Sequence, residues 1–315
     1  MIRYRFYISL SILFLLLSCK SEIEVDTPSR IKYKTYSNES GVQELKYEYK
    51  YADDKLVSEI LSKKDVQSNT WYESYDNEIT YENNIITSIG YYYNLDTKIW
   101  EEVTKTIYTL ENGVVAQICT FDTRDNNVSS TSNTISFKYT NSKVSEIIVS
   151  WGFKWVVNYS NGLITDFTVF KKGSSSYKYP SSKCKYSYID GNLKYIDFYY
   201  SESKFGDFSS IPSTRYEYVY SNNKVFNTSL STYSTADSNW NNESYTSYKY
   251  NSDGDIIQQL EKDGTKITFE YESGNGNSSL FKYFTTDLYM QPYSKVKGAE
   301  KINLYNPNSY LDKFE

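Results

Sequence analysis

Histidine is absent from this 315-residue chain, and cysteine (three), methionine (two) and proline (five) are scarce. The absence of histidine excludes His-based catalytic triads, His-ligated zinc and most general-base designs. Cys119 and Cys184 lie far apart, and their spacing does not decide whether they form a disulfide or remain free thiols. We therefore predict a protein that is not an enzyme and holds no metal and no cofactor.

Long apolar runs are also scarce, and the clearest one lies at the start of the chain. Arg3 and Arg5 precede the apolar run Ile8–Leu17, the layout of a secretory signal peptide. At about ten residues the run is too short to span a bilayer, which needs about 20. It ends in Leu-Leu-Ser-Cys at Cys19, which resembles the bacterial lipobox. The resemblance implies that residues 1–18 are removed and that Cys19 carries a lipid; the alternative is an ordinary signal peptide with a chance cysteine.

Residues 19–30 follow as a short acidic segment, predicted to be a lipidated flexible tether. It is similar to the acidic stretch behind the lipidated cysteine of Bacteroidota lipoproteins sent to the cell surface, although a plain solvated tether explains the same residues. Both interpretations place the following domain outside the cytoplasm. We expect a lipid anchor in the outer membrane facing the cell surface, with the periplasmic face as the alternative.

Positive charge is in short supply. Without residues 1–18 the chain has 32 basic and 39 acidic side chains. Affinity for nucleic acid depends on neutralising phosphates, so the composition favours no nucleic-acid partner. The membrane, reached through the lipid, is the one partner that the sequence indicates directly.

What the chain has in abundance is a repeat marked by Asn and Asp. Asp54, Asn83, Asn112 and Asn141 follow one another at steps of 29 residues. Further markers are Asn161, Asp190, Asn222, Asp253 and Asn275. A fixed period of this size indicates a serial array of about nine supersecondary units.

Each unit has the pattern of a β-hairpin. Aromatic residues alternate with polar ones before the marker, as at Tyr47 and Tyr49, and an aliphatic residue such as Leu56 follows it. Several markers precede glycine, as in Asn161-Gly162, a dipeptide typical of tight hairpin turns. We predict an all-β fold over residues 31–279: an antiparallel up-and-down meander of about nine hairpins in a single large sheet rolled into an open or flattened barrel. Residues 280–315 break the pattern and are predicted to form an irregular C-terminal cap on the last sheet edge.

Tyrosine, with 36 copies, supplies the apolar stripe of these strands. Tyr rings pack across strands and can keep their hydroxyls in water, so we expect a sheet that is stable without a thick core. A membrane-spanning barrel would carry aliphatic residues at mid-depth instead, which disfavours that alternative.

The segment Tyr248–Ile256 resembles the tyrosine-aspartate repeats of bacterial surface and wrapping proteins. Residues 30–280 are also similar to Bacteroidota lipoproteins in a family of unknown function described as having a porin-like fold. The resemblance implies an antiparallel sheet rolled toward a barrel, with no established activity.

Three tryptophans are the candidate ligand-binding residues. Trp71, Trp100 and Trp240 each follow a polar loop at a similar place in their units, where an indole could stack on a sugar ring. The alternative is that each ring only packs where its strand leaves the loop.

Two functions are consistent with these features. The first is a non-catalytic envelope lipoprotein that serves as a binding or scaffold module for a glycan, a peptide or an outer-membrane protein. The alternative is a hydrolase of extracellular polysaccharide that uses paired carboxylates. The doublets Glu101-Glu102 and Asp53-Asp54 do not form such a pair alone, because adjacent strand residues point to opposite faces.

Overall fold

The computed structural model describes residues 29–274, apart from residues 53–54, 113, 125–132, 142, 151, 174–175, 202–206 and 223. The predicted signal peptide, Cys19, the predicted tether up to residue 28, the doublet Asp53-Asp54, the marker Asn275 and residues 280–315 lie outside the described residues.

Eighteen β-strands make up the described chain. They are β1 (Ser29–Ser37), β2 (Gln43–Ala52), β3 (Lys55–Lys64), β4 (Trp71–Glu82), β5 (Ile85–Asn94), β6 (Ile99–Glu111), β7 (Val114–Asp122), β8 (Asn133–Thr140), β9 (Lys143–Val149), β10 (Phe153–Ser160), β11 (Leu163–Lys172), β12 (Tyr177–Ile189), β13 (Asn192–Tyr200), β14 (Thr214–Ser221), β15 (Lys224–Ser234), β16 (Asn239–Tyr250), β17 (Ile256–Glu261) and β18 (Lys266–Ser273). Within the described residues no helix is long and apolar enough to cross a membrane.

The strands form one closed antiparallel barrel. Each strand pairs with the next along the chain, and β1 pairs with both β2 and β18. The predicted all-β meander is therefore confirmed, and the sheet closes instead of staying open. The ninth unit is completed by the chain ends: β1 takes the place of a return strand after β18, and it pairs with β18 from Ser29 to Ser37. That edge of β18 is covered by β1.

The Asn and Asp markers among the described residues lie at the hairpin turns, as predicted. Six of them adopt positive φ: Asn83, Asn112, Asn141, Asn161, Asp190 and Asn222. Gly162 and Gly191 follow with φ of 83° and 80°, so their turns have the two consecutive positive φ values of a type I′ hairpin. The Asp253 turn differs from the two-residue turn that we predicted. There only Gly254 has positive φ, and the Asp255 amide donates to the Asn251 side chain at 2.8 Å.

A β-bulge follows the turn in seven of the eight hairpins, the exception being β4–β5. In the first hairpin Tyr51 pairs with Leu56 and Lys50 pairs with Ser58, so Val57 is the extra residue. The bulge reverses the alternation that simple counting gives. Glu59 consequently faces the barrel interior and Ile60 faces outward.

The barrel interior is packed most tightly near the hairpin turns. The second residue of several return strands is fully buried, as at Leu56, Val115, Val144 and Leu193. A ring of tyrosines covers these residues, and each phenol donates to the backbone carbonyl of such a residue on the preceding unit. The bonds are 2.6–3.0 Å long: Tyr51 to Ile31, Tyr81 to Leu56, Tyr139 to Val115, Tyr159 to Val144, Tyr250 to Val225 and Tyr271 to Ile256. Our expectation of water-exposed hydroxyls is wrong for this ring, because the phenols satisfy carbonyls inside the barrel.

The outward face carries charged side chains along the middle of the strands, next to apolar ones such as Ile60. Cross-strand ion pairs recur there, including Lys154 with Glu146, Lys194 with Glu217 and Arg215 with Asp197. Lipid-facing positions of a membrane barrel are aliphatic at this depth. The charged outward positions instead suit contact with water.

The two ends of the barrel differ. Both ends of the described chain lie at the hairpin-turn end, where Ser29 pairs with Ser273. The opposite end, which we call the loop rim, carries the connections from each odd-numbered strand to the next. With ten-residue strands rising about 3.3 Å per residue, the ends are about 30 Å apart along a strand.

Candidate functional site

Trp71, Trp100 and Trp240 lie on the outward face at the loop rim, in equivalent places. Each follows a loop residue of positive φ by two positions: Asn69, Lys98 and Ser238, with φ of 57°, 57° and 52°. Each is also at or near the first residue of its strand and pairs with the last residues of the preceding strand. The repeat therefore places all three indoles at one level of the barrel.

The structure places two of the three tryptophans on the same side of the barrel. Trp71 on β4 and Trp100 on β6 are separated by one strand, about 10 Å across the sheet, and the register places Trp71 about three residues, or about 10 Å, further along the strand direction. Both are partly exposed, at 38% and 37%. Trp240 on β16 lies eight strands from Trp100 around the closed sheet, so it belongs to a different surface.

Trp240 belongs to a compact cluster, which we name the Trp240 cluster: Tyr195, Asp197, Arg215, Tyr233 and Trp240. The Tyr233 and Trp240 rings meet edge to face at 5.4 Å. The Arg215 guanidinium lies 4.9 Å from the centre of the Trp240 ring and 4.5 Å from that of Tyr195. It also donates two hydrogen bonds to Asp197, at 2.6 and 3.0 Å. The cation is thus held by stacking and by a bidentate carboxylate, both supplied by this chain.

Trp100 belongs to the equivalent cluster on β4–β6, which we name the Trp100 cluster: Asp76, Tyr91, Tyr93, Trp100 and Glu102. The Tyr93 and Trp100 rings are 5.2 Å apart, matching Tyr233 and Trp240. Asp76 and Glu102 lie directly opposite Tyr91 on its two neighbouring strands. Burial, followed by the charges of Glu78, Glu102 and Asp76, raises the pKa of the Tyr91 phenol. Carboxylates therefore surround this ring where the Trp240 cluster has a guanidinium.

The acidic members of the Trp100 cluster were not singled out from the sequence. Glu102 was noticed only within a doublet, and the register confirms that the doublet is split, with Glu101 opposite Tyr92 and Glu102 opposite Tyr91. A usable signal was the spacing of two residues between Trp100 and Glu102. The partner Asp76 is 26 residues away, and only the strand register brings it near.

A second polar group lies inside the barrel on β1–β5. Lys34 is 2% exposed, and its ammonium lies 4.8 Å from the centre of the Tyr36 ring. Burial raises the pKa of the Glu59 carboxyl, while Lys34 and a hydrogen bond from Tyr49 act in the opposite direction. Ser88 donates to Asn77 at 2.5 Å in the same wall. At the ring position that Glu59 occupies, other units have hydrocarbon: Ile118, Ile147, Phe167 and Ile196.

The two cysteines of the barrel do not belong to either cluster. Cys119 faces outward on β7 and Cys184 is buried inside on β12, and both are free thiols. They lie on opposite faces of the wall, which resolves the question of their pairing. Among residues 29–274 as described, no group of three or more metal-binding side chains comes together.

Comparison with known proteins gives a limited result. No family model and no curated protein matches the chain. Among solved structures it is similar to porin-like proteins from Bacteroides uniformis ATCC 8492 and Bacteroides vulgatus ATCC 8482, each at 11% identity over 78% of this chain and 99% of that chain, with TM-scores of 0.42 and 0.38. It is also similar to a protein with unknown function from Bacteroides fragilis NCTC 9343, at 11% identity over 42% of this chain and 83% of that chain, with a TM-score of 0.25. At these values the likenesses do not transfer a function, and the barrel fold follows from the strand pairing of the chain itself.

Proposed function

We propose that the chain is a non-catalytic binding or scaffold module of the cell envelope, held at the outer membrane by a lipid on Cys19. It binds a glycan, a peptide or an outer-membrane protein through the outward aromatic residues of its loop rim. The direction of the strands carries this proposal. Ser29 and Ser273 lie at the hairpin-turn end, whereas Trp71 and Trp100 lie at the opposite end.

An anchor at Cys19 would therefore set the barrel with its rim away from the bilayer. Ser29 lies ten positions after Cys19, and an extended chain of that length spans at most about 35 Å. A tether of this length leaves the hairpin-turn end near the membrane and the rim in contact with the surroundings. The partly exposed indoles are then available to a ligand from outside.

The anchor is tested by fractionating cells that produce the natural chain or its Cys19→Ser variant. The natural chain should sediment with the membranes and carry a fatty acyl mass on its N-terminal peptide. The variant should lose both properties. A natural chain without an acyl group would contradict the anchor.

The binding role is tested on the purified barrel with an array of envelope glycans and with detergent extracts of purified outer membranes. We expect Trp71→Ala and Trp100→Ala to weaken capture of the bound component by at least tenfold each. Trp240→Ala is the matched control, because Arg215 already covers that indole. If all three variants capture the component as well as the natural chain does, the proposed rim site is wrong.

A further inference from the structure

Each loop-rim tryptophan belongs to the same arrangement of paired strands. We call this arrangement a module and name each copy after its tryptophan: the Trp71, Trp100 and Trp240 modules. In the Trp240 module, Arg215 pairs with Ser231, and Ser231 pairs with Asn242, two residues after the tryptophan. In the Trp100 module, Asp76 pairs with Tyr91, and Tyr91 pairs with Glu102, again two residues after the tryptophan. A bulge follows at the same place in both. Arg215 and Asp76 therefore occupy the same structural position.

The Trp71 module gives the third comparison. There Lys46 pairs with Ser62, and Ser62 pairs with Glu73, two residues after Trp71. The Lys46 ammonium lies 3.9 Å from the centre of the Tyr33 ring. Two of the three modules thus place their own cation at this position, and the third places a carboxylate there.

The Trp100 module keeps the exposed indole and has no cation at the position of Arg215. Ile60 and Ser58 lie where the Trp240 module has Asp197 and Tyr195, and the carboxylates of this module are Asp76, Glu78 and Glu102. Its indole stays 37% exposed, and the Tyr93 ring packs beside it. Asp76 accepts a hydrogen bond from Ser58 at 3.0 Å, but none of the ion pairs between described residues involves Asp76, Glu78 or Glu102. Lys105 is the only basic residue in the sequences of β4–β6, where it lies opposite Ile89. Asp76 and Glu102 lie on the two strands that flank Tyr91, so a cation over this ring would meet a carboxylate on either side.

We propose that this surface binds an arginine or lysine side chain of a basic, extended polypeptide segment, which pairs with Asp76 and Glu102 beside the exposed Trp100 ring. The inference rests on the proposed function, because it names the partner class of the same rim. Charge complementarity selects the occupant, since a cation over an indole next to carboxylates gains from both contacts. Anionic lipid and nucleic acid are repelled by the same groups.

A second copy of the chain is a less suitable occupant. It carries the same excess of acidic side chains, 39 against 32 basic ones after residue 18, so two copies repel each other overall. A foreign segment brings cations without that repulsion.

The probe is an acetylated, amidated hexapeptide of alternating threonine and arginine, titrated into the purified barrel while tryptophan fluorescence and heat are recorded. Alternation puts successive arginines on one side of an extended chain, about 7 Å apart. We expect saturable binding that weakens as salt is raised. A peptide of alternating threonine and glutamate should not bind.

The decisive variant is Asp76→Arg, which restores to the module a cation of its own. It should weaken binding of the arginine peptide at least tenfold, and Asp76→Asn should weaken it about threefold. Glu270→Arg is the control with the same change of charge, placed outward on β18, four strands from Asp76. At about 19 Å it lies beyond the screening length of physiological salt and should change binding less than twofold.

The outcomes separate this inference from the proposed function. Equal binding by the natural chain and Asp76→Arg, or equal weakening by Glu270→Arg, would overturn the arginine site. So would a dimer of the natural chain that Asp76→Arg dissociates while the peptide does not bind. Envelope-glycan capture that still requires Trp100 would leave the proposed function standing when the arginine site fails. Thermal unfolding of each variant checks that the barrel is intact, and Asp76→Asn keeps the test open if Asp76→Arg does not fold.

Discussion

The strands β3–β6 and the strands β13–β16 share one register but differ in chemistry on both faces. On the inner face, Glu59 lies where the second segment has Ile196. On the outer face, Asp76 lies where the second segment has Arg215. The second segment has an aliphatic side chain at the inner position of Glu59, and on the outer face it pairs Arg215 with Asp197 within the chain. The repeat therefore determines the backbone register, whereas the charge and polarity of individual side chains differ from one segment to the other.

The largest expected effect comes from placing the Glu59 carboxyl in the second segment. Ile196→Glu should lower the free energy of unfolding by about 3–5 kcal/mol, because an unpaired charge would be buried between Tyr186 and Tyr216. Ile196→Val, the control, should cost about 0.5–1.5 kcal/mol. Denaturant unfolding followed by circular dichroism measures both. A loss below about 1 kcal/mol for Ile196→Glu would show that the two interiors do not differ as described.

The outward pair of the second segment gives the next effect. Arg215→Ala should lower the free energy of unfolding by about 1–3 kcal/mol, because the Asp197 side chain, only 10% exposed, loses its bidentate partner. Arg215→Lys keeps the charge without the planar guanidinium. Its free energy of unfolding should lie between those of the natural chain and Arg215→Ala. In the first segment Asp76→Asn should cost less than about 0.5 kcal/mol. Equal losses at Arg215 and Asp76 would remove the contrast between the outer faces.

The pH dependence of stability distinguishes the inner faces. Because burial raises the pKa of Glu59, the folded chain holds this proton more tightly than the unfolded chain does. Its contribution is therefore complete below the ordinary glutamate pKa of about 4.3 and is lost as the pH rises through the raised value. Glu59→Gln has no such proton. Relative to this variant, the natural chain should lose stability from pH 4.5 upward in denaturant titrations, and parallel curves for the two proteins would contradict the assignment.

The smallest effect should be the same in both segments. Tyr81→Phe and Tyr250→Phe each delete one phenol donor to a carbonyl, that of Leu56 or that of Val225. Each should cost about 0.5–1.5 kcal/mol, the net value of one such hydrogen bond. Thermal unfolding under one set of conditions compares them. Losses that differ by more than about 1 kcal/mol would show that the tyrosine ring is not a uniform device.

The hairpins could be predicted from the sequence because their turns depend on local chemistry. Positive φ at Asn83, Asn161 and Asp190 is a property that Asn and Asp tolerate wherever they stand. The bulges could not be predicted, since no particular residue type is required at Val57. Missing that bulge assigns Glu59 and Ile60 to the wrong faces.

Only the part of the candidate site that depends on local sequence could be predicted. Trp100 was found because it repeats with the loops, but Asp76 acquires its meaning only from a register set by two intervening strands. The closure of the barrel also depends on distant residues, because β1 and β18 are more than 200 positions apart. Such pairings leave no local trace in a single sequence.

The contrast between the two segments depends on which side chains face into the barrel and which face outward. The two cysteines of the barrel test that assignment without mutation. Cys119 faces outward on β7, whereas Cys184 is buried inside, where burial raises the pKa of its thiol. A maleimide label, read by peptide mass, should modify Cys119 in the folded protein and Cys184 only after unfolding. Equal labelling of both thiols in the folded protein, or a disulfide between them, would contradict the closed barrel described here.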